Sequence, residues 1–541
     1  MANKELFSGY RGARLAVADR LNEAGGTAYS LDSRQALAQY AATGCLNGTF
    51  YASAGVQLEQ ALGFCGEVDA GFIAKTAVYA RTKGHMKDLP ALLCAVLSVR
   101  DGELLSAVFD RVIDTPKMLR NFVQIMRSGA VGRKSLGTLP KRLVLQWLAN
   151  RTDEQLFFAS IGNDPSLADI LKMVHPKPST PSRDALFGYL IGRPYDAEAL
   201  PAVVREFEAF KRGEVTEVPD VGFQMLTGMP LSQDGWKAIA RHASWQMTRM
   251  NLNTFARHGV FKAGAKVFDF LIEFGLFLDK ELTELIAARL RDETLIRKSR
   301  VLPYQLMTAC AYATKGVPGA VRDSLQEAME IAISNVPKVE GRVIVFPDIS
   351  GSMHSPVTGY RRGSSSVVRC VDVAALIAAA MLRVNRDTVV MPFESKAISP
   401  EVVGLNTRDS VMTNAERLAS LPAGGTNCSA ALAYVNRQKM SGDMVIYVSD
   451  NESWMDSPHY GRFGGGPTAT MKEWALFKNR NPGAKMICID IQPYGTTQAA
   501  ERDDIINVGG FSDAVFSLIG AVASGDASTG YWVRQIQAIE I

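Results

Sequence analysis

The sequence predicts two architectures in one chain: an all-α array over residues 1–337 and an α/β domain with an open, mostly parallel sheet over residues 338–541. Three observations carry this. Before Pro337, apolar residues recur every three or four positions in stretch after stretch. After it, short apolar runs alternate with helical stretches. Finally, 541 residues exceed what one ordinary core organises, so two or three domains are expected.

In the first part, "RQALAQYAAT", "IAKTAVYART", "LPALLCAVLS", "KRLVLQWLAN", "GWKAIARHAS" and "KELTELIAARL" each show the helical period, with short Gly, Pro or Asp breaks between them. Period-two runs of β-branched residues are nearly absent. So many helices need several cores, which favours a degenerate array of helical pairs of the HEAT kind over a compact bundle. In the second part, "RVIVF", "DTVVMPF", "DMVIYVS" and "AKMICIDI" read as strands, and helices are expected around 372–385, 427–438, 469–479 and 512–520. Sheets of this kind bind ligands in the crevice at the carboxyl ends of their strands.

Composition narrows the function classes. Hydrophobic residues make up 47% and charged residues 21%, the balance of a soluble globular protein, and no run approaches the roughly 18 apolar residues of a membrane span. The nearest, 374–382, is too short, so no membrane partner is expected. The N-terminus lacks a signal-peptide core, and seven scattered cysteines form no CxxC pair, so a reducing cytoplasm is the expected setting. Residues 338–541 carry 19 Lys and Arg against 20 Asp and Glu, leaving 40 against 35 in residues 1–337. That excess permits an acidic partner for the first part without demanding one.

The stretch "FPDISGSMHS" (346–355) closes the first predicted strand with Asp348, Ser350 and Ser352 two residues apart. On a curled loop their oxygens converge, and such hard donors suit magnesium, calcium or manganese. Taken alone the spacing is that of many surface turns. Two more donors fall at the same sheet edge: Thr426 on the loop "GGTNCS" and Asp450 in "YVSDNES", directly after a strand. A phosphatase with Asp348 as nucleophile is disfavoured, because Ser350 stands where a second acid is needed to protonate the leaving group. No GxSxG elbow, P-loop or HExxH occurs, and the six histidines show no metal spacing. A non-catalytic protein is therefore expected. His354 reads as a polar loop residue.

The five donors resemble the metal-ion-dependent adhesion site of von Willebrand factor A domains. That resemblance implies that Ser350, Ser352 and Thr426 supply hydroxyls, that Asp348 and Asp450 act directly or through water, and that Mg2+ keeps one position open for an outside ligand. Over essentially its whole length the chain is similar to the Ro autoantigen, or TROVE-domain, family in its bacterial form. The stretches that carry this are "NEAGGTAY", "VGRKSLGTLPKR", "MVHPKP", "MTRMNLNTFARHGVF", "RKSRVLPYQLMTA", "PDISGSM", "LPAGGTNCS" and "VSDNES". The resemblance implies a monomeric ring of HEAT-like helices (1–337) closed by the A domain (338–541). It implies binding of noncoding RNA without cleavage, with 3′ ends of misfolded RNA entering a central hole. A Y RNA lies on an outer surface where one exists, and an exoribonuclease, polynucleotide phosphorylase, is an associated partner.

Basic clusters in the helical part fit that expectation: Arg133, Lys134, Lys141 and Arg142, then Arg249 and Arg257, then Arg297, Lys298 and Arg300. Asn251, Asn253 and His258 are placed to touch bases or sugar hydroxyls, and His175 matches the family position of Y RNA contact. For each cation the competing reading is a solvated helix face. His175, before Pro176, also reads as a helix cap, and Met247, Met250, Leu252 and Phe255 as core. The stretch "LFFASIGNDPS" (156–166) has no cation where relatives are basic, which weakens the expected outer surface. A protein-binding adaptor, with the A-domain site gripping an acidic side chain and the helices as scaffold, is the alternative.

Overall fold

Helix caps written into the sequence divide the first part of the chain. In a computed structural model, which describes residues 15–43, 46–215, 217–263, 278–299, 301, 303–333, 336–360, 368–457, 461, 466–509, 514–525 and 530–541, the chain falls into two compact units. One comprises Met1–Gln60 with Val336–Val533, the other Ala61–Asn335 with Arg534–Ile541.

The second unit is helical, with no strand among its described residues. Asp69, Asp101, Thr115, Thr152, Ser166, Thr180, Ser232, Ser244 and Asp279 each accept an N–H of the first turn that would otherwise lack a partner. Gly129 and Gly192 end helices in the left-handed region, at φ 87° and 75°. From Ala70 to Ser128 successive helices pack on the next and the next but one, as stacked helical pairs do. Aromatic side chains fill the seams: Phe109 meets Phe122 edge-on at 5.2 Å, and Trp147 donates its indole N–H to the Ile113 carbonyl at 2.6 Å.

The first unit holds a five-stranded, wholly parallel sheet. Its strands are β3 (Val343–Pro347), β4 (Val389–Val390), β5 (Met444–Ser449), β6 (Lys485–Asp490) and β8 (Ile505–Gly509), and they lie in the order β4-β3-β5-β6-β8. Burial on both faces explains the unbroken apolar runs. The apolar helix Cys370–Val384 packs inside the unit, and among the described residues no helix is long and apolar enough to cross a membrane. The strand β8 carries no clear signature in the sequence, because Asn507 interrupts its apolar run to accept from Thr497.

The unit differs from the expected 338–541 at both ends: the chain before Ala61 groups with it, and Arg534–Ile541 group with the helical unit. Two very short strands, β1 (Arg20–Leu21) and β2 (Thr27–Ser30), pair antiparallel, and β2 continues onto β7 (Thr496–Thr497). Strands of two to four residues leave no period to read. The hairpin turn is pressed against the loop after β5. Asn22 donates to the Ser453 carbonyl at 2.8 Å, and the Ala24 N–H donates to Glu452 at 2.9 Å. A Cβ on Gly26 would lie 1.9 Å from the Ser453 carbonyl oxygen. Gly26→Ala therefore forces backbone apart and is expected to cost about 1–3 kcal/mol, read as a lower denaturation midpoint; an unchanged midpoint would show that the turn can shift without cost.

Candidate cation site and basic pocket

Parallel pairing of β3 with β5 sets Pro347 beside Val448, so the residues that follow both strands emerge together. Asp348 leaves β3 with its N–H donating to the Val448 carbonyl, and its side chain is wholly buried. One carboxylate oxygen accepts from the Ser350 N–H at 2.8 Å and the other from the Ser449 hydroxyl at 2.6 Å. The Ser350 and Ser352 hydroxyls lie 3.3 Å apart. Asp450, also buried, accepts from the Glu452 N–H at 3.4 Å. Thr426 is buried on the glycine loop, which is fastened by the Gly351 N–H to the Gly424 carbonyl at 2.9 Å. At Gly424 and Gly425 a Cβ would meet the ends of the Glu394 and Met455 side chains, at 1.8 and 2.3 Å, and would require them to move. The loops that carry all five expected donors thus come together at the carboxyl edge of the sheet.

The electrostatics call for positive charge. Burial, then the neighbouring Asp450, push the Asp348 carboxyl up to about 7, and burial likewise raises Asp450. Two carboxylates and three hydroxyls in a dry crevice are a hard-oxygen donor set, and a divalent cation would relieve the repulsion. The residues present fit such an ion.

Several neighbours carry no signal of this role in the sequence. Ser449 orients Asp348. Burial, followed by the Asp450 charge, raises the pKa of Tyr51. Glu452 and Asp490 are buried close by, both held well above the ordinary carboxyl range by burial first. Tyr51 is silent because its stretch precedes a helix and reads as part of the helical array. His354 meets Arg369 at 2.9 Å, in keeping with its reading as a loop residue.

In the helical unit, Lys134, Lys141 and Arg142 converge with Arg127 on a pocket of ≈ 690 Å³ whose lining has no acidic residue. The pocket opens at the N-terminal end of helix Thr138–Ala149. Arg133 is half-buried, its guanidinium folded over Gly137. His175 is exposed and caps helix Leu167–Val174 in the left-handed region, φ 50°. The other expected contacts divide. Arg249 donates to the Gln305 carbonyl at 2.9 Å, and Asn251 to the Met247 carbonyl at 2.8 Å. The Asn253 amide ties down the turn 312–314 through the Tyr312 carbonyl and the Thr314 N–H, at 2.8 and 2.9 Å. Arg297 pairs with Glu293 at 2.7 Å. These four groups are engaged within the fold. Arg257, His258 and Lys298 are exposed, His258 stacked on Trp236 at 4.1 Å. Arg300 lies outside the described residues. Leu252 and Phe255 are core, whereas Met250 is 61% exposed.

Residues 342–523 match the family described as the Ro60 vWA domain. The chain is 24% identical to the RNA-binding protein RO60 of Deinococcus radiodurans, over 93% of this chain and 95% of that one. It is 25% identical to the RNA-binding protein RO60 of Caenorhabditis elegans, over 46% of this chain and 38% of that protein. The crystal structure of the D. radiodurans RO (Rsr) protein superposes with a TM-score of 0.60 at 20% identity, covering 92% of this chain and all of that one.

The raised Asp348 carboxyl fixes a pH dependence. Folding favours its protonated form, so without a cation the stability it contributes is full below about 4 and is lost as pH rises toward 7. A divalent cation binds the ionised pair, so the expected Mg2+-induced rise in melting temperature is larger at pH 8 than at pH 5. At a hundredfold excess over Kd it corresponds to about 2.7 kcal/mol. Equal Mg2+ shifts at the two pH values would rule out Asp348 as a ligand.

Proposed function

We propose, for a chain with a Ro60-type A domain and a resemblance to RNA-binding RO60 proteins along nearly its whole length, that it binds RNA without cleaving it. The observation that carries this reading is the acid-free pocket of Arg127, Lys134, Lys141 and Arg142. Cations gathered at the positive end of a helix dipole favour a phosphate backbone. In this reading the ligand is the single-stranded 3′ end of a misfolded noncoding RNA, and the process served is RNA quality control in the cytoplasm, with an exoribonuclease such as polynucleotide phosphorylase taking the captured strand.

His175 is exposed near that pocket, with Met173 of the same helix in its lining, which supports a Y RNA contact beside it. The cation-free stretch 156–166 makes this outer surface weaker than the pocket. In the A domain, Asp348, Ser350, Ser352, Thr426 and Asp450 hold Mg2+. The adaptor reading draws on that same crevice, whose donor set suits an ion completed by a carboxylate from another protein.

A binding titration at several salt concentrations decides between them, comparing a hairpin RNA bearing a 3′ single-stranded tail with its blunt form. Tail-dependent binding is expected to weaken steeply with salt. Lys141→Glu with Arg142→Glu should abolish it, whereas neutral replacements should flatten the log–log slope by about 0.7 for each phosphate no longer neutralised. Equal, weak binding to both RNAs, unchanged by the charge reversal, would leave the helical unit a scaffold and favour the adaptor.

A further inference from the structure

The helical unit holds a second cleft whose chemistry is the reverse of the basic pocket. Its volume is ≈ 720 Å³, and it lies among the loop 217–221, the short helix Phe223–Leu226, the end of helix Gln233–His242 and the start of helix Trp245–Arg257. The floor is apolar: Val221, Leu226 and Ile239 are buried, with Phe223 and Met247 half-buried at the sides. The lining has no lysine or arginine, and the exposed side chains at its edge are Glu217, Asp220, His242 and Ser244.

Two properties set this cleft apart from an ordinary dent in the surface. Its wall is already built within the fold. Phe223 is wedged between Trp236, edge-on at 6.5 Å and 67°, and Phe255, at 6.1 Å and 72°, both of them buried. The Val221 N–H donates to the Pro219 carbonyl and the Met225 N–H to the Gly222 carbonyl, each at 2.8 Å, so the chain turns tightly on either side of that ring. Its charge, by contrast, is left uncompensated. Other acids of this region are paired: Glu214 with Arg212 at 2.7 Å, Asp279 with Lys237 at 2.8 Å and Glu281 with Arg241 at 2.7 Å. Among the described residues Glu217 and Asp220 have no such partner.

An apolar floor ringed by polar groups is the anatomy of a site that takes an apolar side chain as its anchor. The unpaired acids fix the sign of what flanks that anchor, and they repel an RNA strand. We propose that the cleft docks a peptide segment of a protein partner. An aromatic or aliphatic side chain of the segment seats against Val221, Leu226 and Ile239, while lysine or arginine residues on either side of it meet Glu217 and Asp220. Those acids stand at the exposed edge, three residues apart on one loop, so they ask for two cations beside the anchor, a spacing that a peptide supplies. Such cations gain partners without breaking an ion pair of the fold, and their apolar stems lie along the half-buried sides of the cleft. The inference draws on none of the residues that carry the RNA reading and stands apart from it.

The test uses the full chain labelled with 13C at its methionine methyls, because Met247 lines the cleft; its resonance is identified by Met247→Leu. The probes are two peptides with one apolar core, Ac-Lys-Arg-Phe-Leu-Arg-Lys-amide and Ac-Glu-Asp-Phe-Leu-Asp-Glu-amide. The basic peptide is expected to move the Met247 resonance saturably and the acidic one to leave it in place. Glu217→Lys with Asp220→Lys is expected to weaken the basic peptide about tenfold, the scale of two exposed ion pairs exchanged for repulsion. Ala238→Phe fills the cleft and should weaken it without touching a charge; should that variant fail to fold, the charge reversal carries the test. Unchanged affinity after charge reversal, or a Met247 resonance that neither peptide moves, overturns the proposal. Movement of that resonance by the 3′-tailed hairpin RNA would give the cleft to nucleic acid, and equal affinity for 1-naphthylmethylamine would give it to a small organic cation; either result overturns the peptide reading.

Discussion

Two carboxylates, Asp348 and Asp450, are held in a dry crevice with no described cationic side chain between them, and much of the α/β unit is arranged to tolerate that. Isolated charges are not buried without compensation, which here comes from hydroxyls and N–H groups aimed inward. Ser449 and the Ser350 N–H take the two oxygens of Asp348, and the Glu452 N–H donates to Asp450. These partners offset the cost of burial without cancelling it, since both groups remain raised, Asp348 by burial and then by the Asp450 charge, Asp450 by burial. A hard divalent cation is the ligand that suits such an arrangement.

The fold supplies the crevice through register. In a parallel pair, residues at the same level of neighbouring strands leave the sheet together, and the match of Pro347 with Val448 delivers Asp348 beside Ser449 with Asp450 one residue further. Pro347 can stand at this position because Asp348, not Pro347, donates the next N–H, and the Pro347 carbonyl still accepts from Phe393 at 3.1 Å. The glycine loop then brings Thr426 from a third element. Around Gly424 and Gly425 the nearest atoms are the ends of the Glu394 and Met455 side chains, which would have to move to admit a Cβ. The chemistry of the edge is thus a consequence of strand pairing.

This explains what is legible in the sequence. Long buried strands and capped helices leave periodic signatures, and the donors Asp348, Ser350, Ser352, Thr426 and Asp450 each sit within a few residues of a strand end or a glycine pair, where a local motif can be read. Interactions made across hundreds of positions leave none. Tyr494 reaches Thr49, and Asn22 reaches Ser453, through packing that only the folded chain reveals. The two-residue strands β1 and β7 are similarly silent. The spacing of Met250 reads as core, yet it lies on the outer face of its helix, where Arg257 is also exposed.

The basic residues of the helical unit teach the same lesson about charge. Counting cations along the sequence treats Arg249 and Lys141 alike, but a guanidinium has five donors and is readily drawn into capping carbonyls, as Arg249 is at Gln305 and Arg289 is at Ala240 and Arg241. Lys141 and Arg142 are placed differently. They stand near the start of helix Thr138–Ala149, the end of a helix that the backbone dipole already makes positive, and Lys134 and Arg127 add to the same pocket. Cations at that end are unfavourable for an isolated helix. With no acid in the pocket lining, what offsets their mutual repulsion there is solvent or an anion from outside. A phosphate backbone supplies such an anion along a line instead of at a point, so the placement that costs the free helix stability is one that suits a polyanion.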